Sequence, residues 1–434
     1  MSSSSSTTTT NLAMAMAMAM HLPARMAPVP DTPARLPSTM TLATAIACIA
    51  LVAVDLRPGI VSVGPLLGQI RAEFGISNTQ ASLLTAIPNV LMGLLAIPTP
   101  WLARRFGRDR VILAALVVLS LATLARAFVG STAGLLATTA GVGAGIAIAG
   151  ALIAGFAKAR FPRHVPLLMG LYAMSLGLGS TIAAALTGPV AALGAWGGPG
   201  GGWRLGTGVW ALPGLTAIAA WLYVARYERR QPGAGAAPLG GAADRVHPVR
   251  SGAAWRAALY FATNNFLFFG LLSWIAPMYR EFGLPEGAAG LVLASFTTGF
   301  MLSNPLPALL SRTDDRRWVV GLFAALALGG MLAMAIAPLR LPLVVVPLIA
   351  CGIGGSFALG MTLPLDHAAS PDDANARTAF TLSVGYFLGA LGPLVLGLLR
   401  DLTGNFGAAL WALVAVGVVK LSLAPFLAPV RQQG

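Results

Sequence analysis

After a polar stretch of about 40 residues, apolar runs of about 20 residues follow one another to the end of the chain, separated by short segments holding Arg, Pro and Gly. A helix rising 1.5 Å per residue needs about 20 apolar residues to cross a hydrocarbon layer of about 30 Å. The runs are continuous, without the apolar/polar alternation of barrel strands. They predict twelve transmembrane helices, near 41–66, 81–101, 111–130, 132–157, 165–193, 207–226, 254–279, 287–310, 318–338, 342–365, 377–399 and 406–428. The composition agrees: of 434 residues 56% are hydrophobic and 10% charged, so lipid is the main solvent of an all-α integral membrane protein.

The net charge of +14 suggests a nucleic-acid partner until its distribution is read. Starting from a cytoplasmic N-terminus, twenty of the 28 Lys and Arg fall in segments on the cytoplasmic side, among them Arg104, Arg105, Arg108, Arg110 and six arginines from Arg226 to Arg256. Six fall on the other side, Arg126 among them, and only Arg57 and Lys420 lie within runs. This bias places both termini in the cytoplasm and argues against nucleic acid.

Residues 1–40 combine a Ser/Thr run, a Met-Ala tract and a Pro-rich stretch, a composition expected to remain disordered. The apolar tract Leu12–Met20 has no basic residue before it, so a cleaved signal peptide is not expected. Cys48 and Cys351 lie in separate apolar runs and read as packing residues. His21, His164, His247 and His367 have no paired spacing, and no metal-ligand, nucleotide-binding or Ser/His/Asp set is visible, so neither a cofactor nor a membrane enzyme is expected. A sensor or scaffold is the remaining alternative.

The two ends of the chain repeat one another. Glu73-Phe74-Gly75 returns as Glu281-Phe282-Gly283, Pro98-x-Pro100-x-Leu102 as Pro305-x-Pro307-x-Leu309, Arg105 and Arg110 as Arg312 and Arg317, and Gly188-Pro189 as Gly392-Pro393. The offsets predict two pseudo-symmetric six-helix halves, 41–226 and 254–428, joined by a cytoplasmic linker at 227–253 and followed by a tail at 429–434. Such halves place a solute site at their interface near the midplane, which rocking exposes to each side in turn.

The segment from Pro98 to Arg110 resembles the loop signature between helices two and three of the major facilitator superfamily, with Arg105, Gly107 and Arg108 on its Arg, Gly and Arg. Arg104 stands where most members carry Asp and Pro100 where they carry Gly. Asp55-Leu56-Arg57-Pro58, Ser62-Val63-Gly64-Pro65-Leu66-Leu67, Leu83-Leu84-Thr85-Ala86-Ile87-Pro88 and Pro166 to Tyr172 carry a closer resemblance. So do Trp210-Ala211-Leu212-Pro213, Asn265, Trp274, Cys351 to Gly355 and Leu365-Asp366-His367. That resemblance is to the cyanate and nitroimidazole transporter family, whose members usually have Asn in place of Asp55. It implies the major facilitator fold, a monomer in a bacterial inner membrane, and transport of a small molecule. Uptake of cyanate or a similar anion, possible with a proton, stands first; export of nitroimidazole-like or other drug-like compounds is the alternative.

Within the runs, Asp55 and Arg57 lie about 21–24 Å along the first helix, where a charge costs several kcal/mol without a partner or polar cavity. Residues two apart on a helix point about 200° away from each other, and Pro58 removes the hydrogen bond to the Val54 carbonyl. Arg57 is therefore the candidate anchor for an anion; bonding to local carbonyls or to Asp55 is the structural alternative. The repeat sets Asn264 or Asn265 opposite Arg57 as hydrogen-bonding candidates. Tyr172, Phe268, Phe269, Trp274 and Tyr386 are candidate walls, with Tyr172 and Trp274 foremost. Asp55, as the one deep carboxylate, and His367, at a helix end, are the proton-coupling candidates, and Arg105, Gly107, Arg108 and Arg312 the gating-loop candidates. Although Lys420 lies within the last run, no second buried cation is expected beside Arg57, which leaves a neutral ring open as substrate.

Overall fold

The computed structural model describes residues 40–95, 98–161, 164–194, 201–228, 248–310, 316–366 and 371–427. The expected N-terminal tail (1–39), most of the linker, residues 428–434, Arg312 and His367 lie outside the described residues.

Among the described residues, ten helices are long and apolar enough to cross a membrane. An eleventh span is the pair Asn78–Leu95 and Thr99–Phe106, bent by 63°. Arg108–Arg126, 19 residues long with its charges at the two ends, completes the twelve. In chain order the spans are Leu42–Phe74, the bent pair, Arg108–Arg126, Thr132–Ala157, Leu167–Gly194, Gly201–Tyr227, Gly252–Glu281, Glu286–Leu310, Arg317–Ile336, Pro342–Pro364, Ala376–Thr403 and Gly407–Phe426.

Several spans outrun their apolar runs. The first continues to Phe74 and the sixth begins at Gly201 because polar ends pair there: Arg204 meets Glu73 at 2.6 Å, and the Trp203 indole donates to the same carboxylate. The repeated Glu-Phe-Gly motif has a shared physical cause. Gly75 (φ 63°) and Gly283 (φ 99°) turn the chain in the left-handed region after the first and seventh spans, a conformation costly for other residues. Starts are capped where the chain re-enters the helix, with Ser131 and Ser251 side chains accepting from Gly134 N and Ala254 N.

The glycine-rich runs serve close packing. A Cβ on Gly143 would stand 2.6 Å from Pro88 Cα, and one on Gly145 2.7 Å from the Ala115 carbonyl. Between the first six and the last six spans, the fifth packs on the eighth, the second on the eleventh, and the first on the seventh. These contacts surround the place where the intramembrane polar groups meet.

Candidate functional site

The site begins with the break in the first span. Leu42–Asp55 ends where Pro58 offers no N–H; a single turn, Pro58–Val61, follows, and then Val63–Phe74. The Val54 carbonyl, which Pro58 leaves without its helical donor, is covered by the backbone of Gly179 in the fifth span, so closely that any side chain there would collide with it. The broken turn is held from the other side by Arg126, 1% exposed, whose Nη1 donates to the Gly59 carbonyl at 2.8 Å and Nη2 to Thr139 Oγ1 at 3.1 Å. Arg126 thus lies inside the helix bundle, a correction to its reading as a loop charge.

Asp55 and Arg57 leave the break in different directions. Asp55, 3% exposed, faces the sixth and third spans, its Oδ1 3.6 Å from where a Gly214 Cβ would lie and its Oδ2 without a hydrogen-bond partner. Arg57 is half-buried and stands within electrostatic reach of the Tyr172 and Tyr386 hydroxyls, from the fifth and eleventh spans. Its Nη1 is buried and has no hydrogen-bond partner. Three residues from opposite ends of the chain that reach one another at mid-depth cannot all face lipid; they face the space between the two sets of spans.

Around them lies an aromatic wall. Tyr386 is 6.4 Å from Phe261 and 6.3 Å from Phe269, Phe268 packs on Phe300 at 4.4 Å, and Phe300 on Phe357 at 5.5 Å (ring centroids). Two amides are buried beside the eleventh span without partners for either polar atom. Asn265 lies against Gly385 and Gly389. Asn89 lies one turn before Gly93, which packs on Phe387. An unmet buried amide costs about 1–3 kcal/mol, so each stands as an open hydrogen-bonding group inside the bundle. Asn89 went unnoticed in the sequence; the signal was a lone amide directly after Pro88, deep in the second run.

Other candidates stand elsewhere. Asn264 is turned to the twelfth span, where Lys420 Nζ donates to its Oδ1 at 2.6 Å. Lys420 and Arg126 are both fully or almost fully buried, so the expectation of no second buried cation is overturned. Trp274 lies nine residues beyond Asn265, about 13 Å along the helix, and donates to the Pro393 carbonyl at 2.9 Å. With Arg71, Arg280 and Glu286 it lines a cavity of about 430 Å³ at the face where the first span ends, apart from Arg57. In the loop signature, the Arg105 guanidinium covers Trp101 and Phe106, Arg108 covers Phe156 at 4.9 Å, and Gly107 turns the chain at φ 88°.

Among the described residues, hydrogen bonds of Asp401, Gln69, Ser82 and Thr181 join the first six spans to the last six between mid-depth and the face where the first span ends. Asp401 accepts four, from Asn78 N (3.0 Å) and Nδ2 (2.6 Å) and from Thr79 N and Oγ1 (2.7 Å each). Gln69 donates to Glu286 at 3.1 Å, Ser82 to the Pro393 carbonyl at 2.8 Å, and Thr181 bonds with Thr297 at 3.0 Å. Asp401 sits at the N-terminus of the second span, where backbone N–H groups and the helix dipole favour an anion. No group of three or more metal-ligating side chains occurs among the described residues.

The Major Facilitator Superfamily profile matches residues 40–393. The chain belongs to that superfamily. Its relatives include the cyanate transport protein CynX of Escherichia coli, 31% identical over 385 residues, covering 88% of this chain and 97% of CynX. The 2-nitroimidazole transporter of Escherichia coli is 28% identical over 384 residues, covering 87% and 92%. Among solved structures, the inward-open xylose transporter XylE of Escherichia coli superposes with a TM-score of 0.70 at 12% identity, covering 90% of this chain and 97% of XylE. A bacterial homologue of the human lysosomal transporter Spinster does so with 0.69 at 20%, covering 89% and 95%. The chain is therefore a multi-pass membrane transporter of small solutes and not an enzyme.

Proposed function

We propose that this facilitator takes up a small anion, cyanate or one like it, by alternating access, with Arg57 as the anion's anchor. The observation that carries this reading is the buried, unpartnered Nη1 of Arg57 facing Tyr172 and Tyr386 between the two sets of spans. A guanidinium keeps its charge and offers a fork of donors, and two phenol hydroxyls within its electrostatic reach add polar groups beside an apolar wall. The likeness to CynX supports the choice of anion. The halves 41–226 and 254–428 rock about this site as a monomer, with the linker and both termini in the cytoplasm, and the conformation here is closed toward the outside by Asp401 and Glu286. Asp55 faces away from Arg57 and is the proton-coupling candidate on the back of the same broken helix.

Equilibrium binding of labelled cyanate to the purified chain tests the anchor. The wild type is expected to bind saturably and Arg57→Gln to lose at least tenfold in affinity at unchanged thermal stability; equal affinity in the two would reject the anchor. A second reading rests on the aromatic wall of Phe261, Phe268, Phe269, Phe300 and Phe357, which suits a flat neutral ring, and on the likeness to the 2-nitroimidazole transporter. Export of a 2-nitroimidazole from cells, lost on Phe268→Ala but kept on Arg57→Gln, would favour it.

A further inference from the structure

The anion site leaves one buried cation unused. Lys420 is fully buried in the twelfth span, its Nζ 2.6 Å from Asn264 Oδ1 and 5.6 Å from the centre of the Tyr260 ring. Among the described residues no carboxylate meets it. The seventh span offers it the Asn264 amide and the Tyr260 ring. The ninth span packs Leu328 and Met331 on Gly417, one turn earlier in the twelfth span. Glu281, Glu286 and Asp401 are engaged with Arg400, Gln69 and the second span at the closed face. Asn264 Nδ2 has no acceptor either, so the site is rich in donors and poor in acceptors. A buried ammonium with one hydrogen bond and one ring contact recovers only part of its desolvation cost of several kcal/mol. The contact with Asn264 is therefore the one strong interaction that holds the charge in place among the described residues.

The next residue, Asn265, is turned about 100° further around the helix, to the eleventh span and the central site. The contact that holds Asn264 therefore also fixes the rotation of the seventh span where Asn265 stands. We propose that Lys420 is a proton-responsive positioning residue: as an ammonium it holds Asn264 and with it the rotation of the seventh span, as a neutral amine it holds that contact more weakly, and so it links the transport cycle to pH. This rests on the reading that the seventh span serves the central site.

The chain contains two lysines, Lys158 and Lys420, so lysine labelled with ¹⁵N at Nζ gives two signals in the full chain, assigned with Lys158→Arg. The Lys420 signal is expected to titrate over the pH range in which labelled cyanate uptake by proteoliposomes changes. Uptake by Lys420→Met is expected to lose that pH dependence. Asn264→Asp, which supplies a fixed counter-charge, is expected to flatten the profile as well and serves if Lys420→Met does not fold. A Lys420 signal that keeps the ammonium position throughout, or an unchanged pH profile in a folded Lys420→Met or Asn264→Asp protein, overturns the proposal. The resonance needs no substrate, so its titration in a chain that does not move cyanate rejects the substrate reading alone.

Discussion

At the residue scale, the polar groups that matter are those an apolar run can least tolerate. Arg57, Tyr172 and Asn265 could be picked out of the sequence as candidates because a charge, a phenol or an amide deep in lipid needs a reason. Trp274, another candidate, stands apart from Arg57, since the rise of its helix carries it to the closed face. Lys420 escaped notice as a partner because Asn264 lies 156 residues away in the chain, and no local pattern encodes that contact. Asn89 and Asn265 separate function from structure cleanly. Removing an unsatisfied buried amide does not cost a hydrogen bond, so Asn89→Leu and Asn265→Leu are expected to leave the thermal melting temperature unchanged or higher while lowering substrate affinity about tenfold or more. A melting temperature lowered by several degrees with affinity intact would show that the amides are structural.

At the element scale, the break in the first span is the feature on which the site turns. Pro58 announced it in the sequence, but the sequence did not show which element would cover the freed Val54 carbonyl. Gly179 does so by bringing the fifth span's backbone against it, a fit set by tertiary packing over more than a hundred residues. Gly179→Ala is expected to push the fifth span away, lowering stability by about 1–3 kcal/mol in chemical denaturation and abolishing transport. A wild-type denaturation midpoint for that variant would contradict the contact. The span edges were misplaced for a related reason: Glu73, Trp203 and Arg204 look like loop residues until they pair with one another across two helices.

At the scale of the whole molecule, the twelve spans and their repeat were readable from apolar runs and from matched motifs, because lipid leaves helices few alternatives. The conformation was not readable, since it depends on contacts between distant residues such as Asp401 and the start of the second span. Asp401→Ala removes four hydrogen bonds across the closed face. It is expected to lengthen the distance between spin labels at Gln80 and Leu402, measured by double electron–electron resonance in a chain with Cys48 and Cys351 replaced. An unchanged distance distribution would mean that the packed helices hold the face shut without Asp401. The central claim, a small anion carried on Arg57, is tested most directly by labelled cyanate uptake into proteoliposomes, comparing wild type with Arg57→Ala. The account predicts saturable uptake by the wild type and none above empty vesicles by the variant; equal uptake by the two, or none by either, would contradict it.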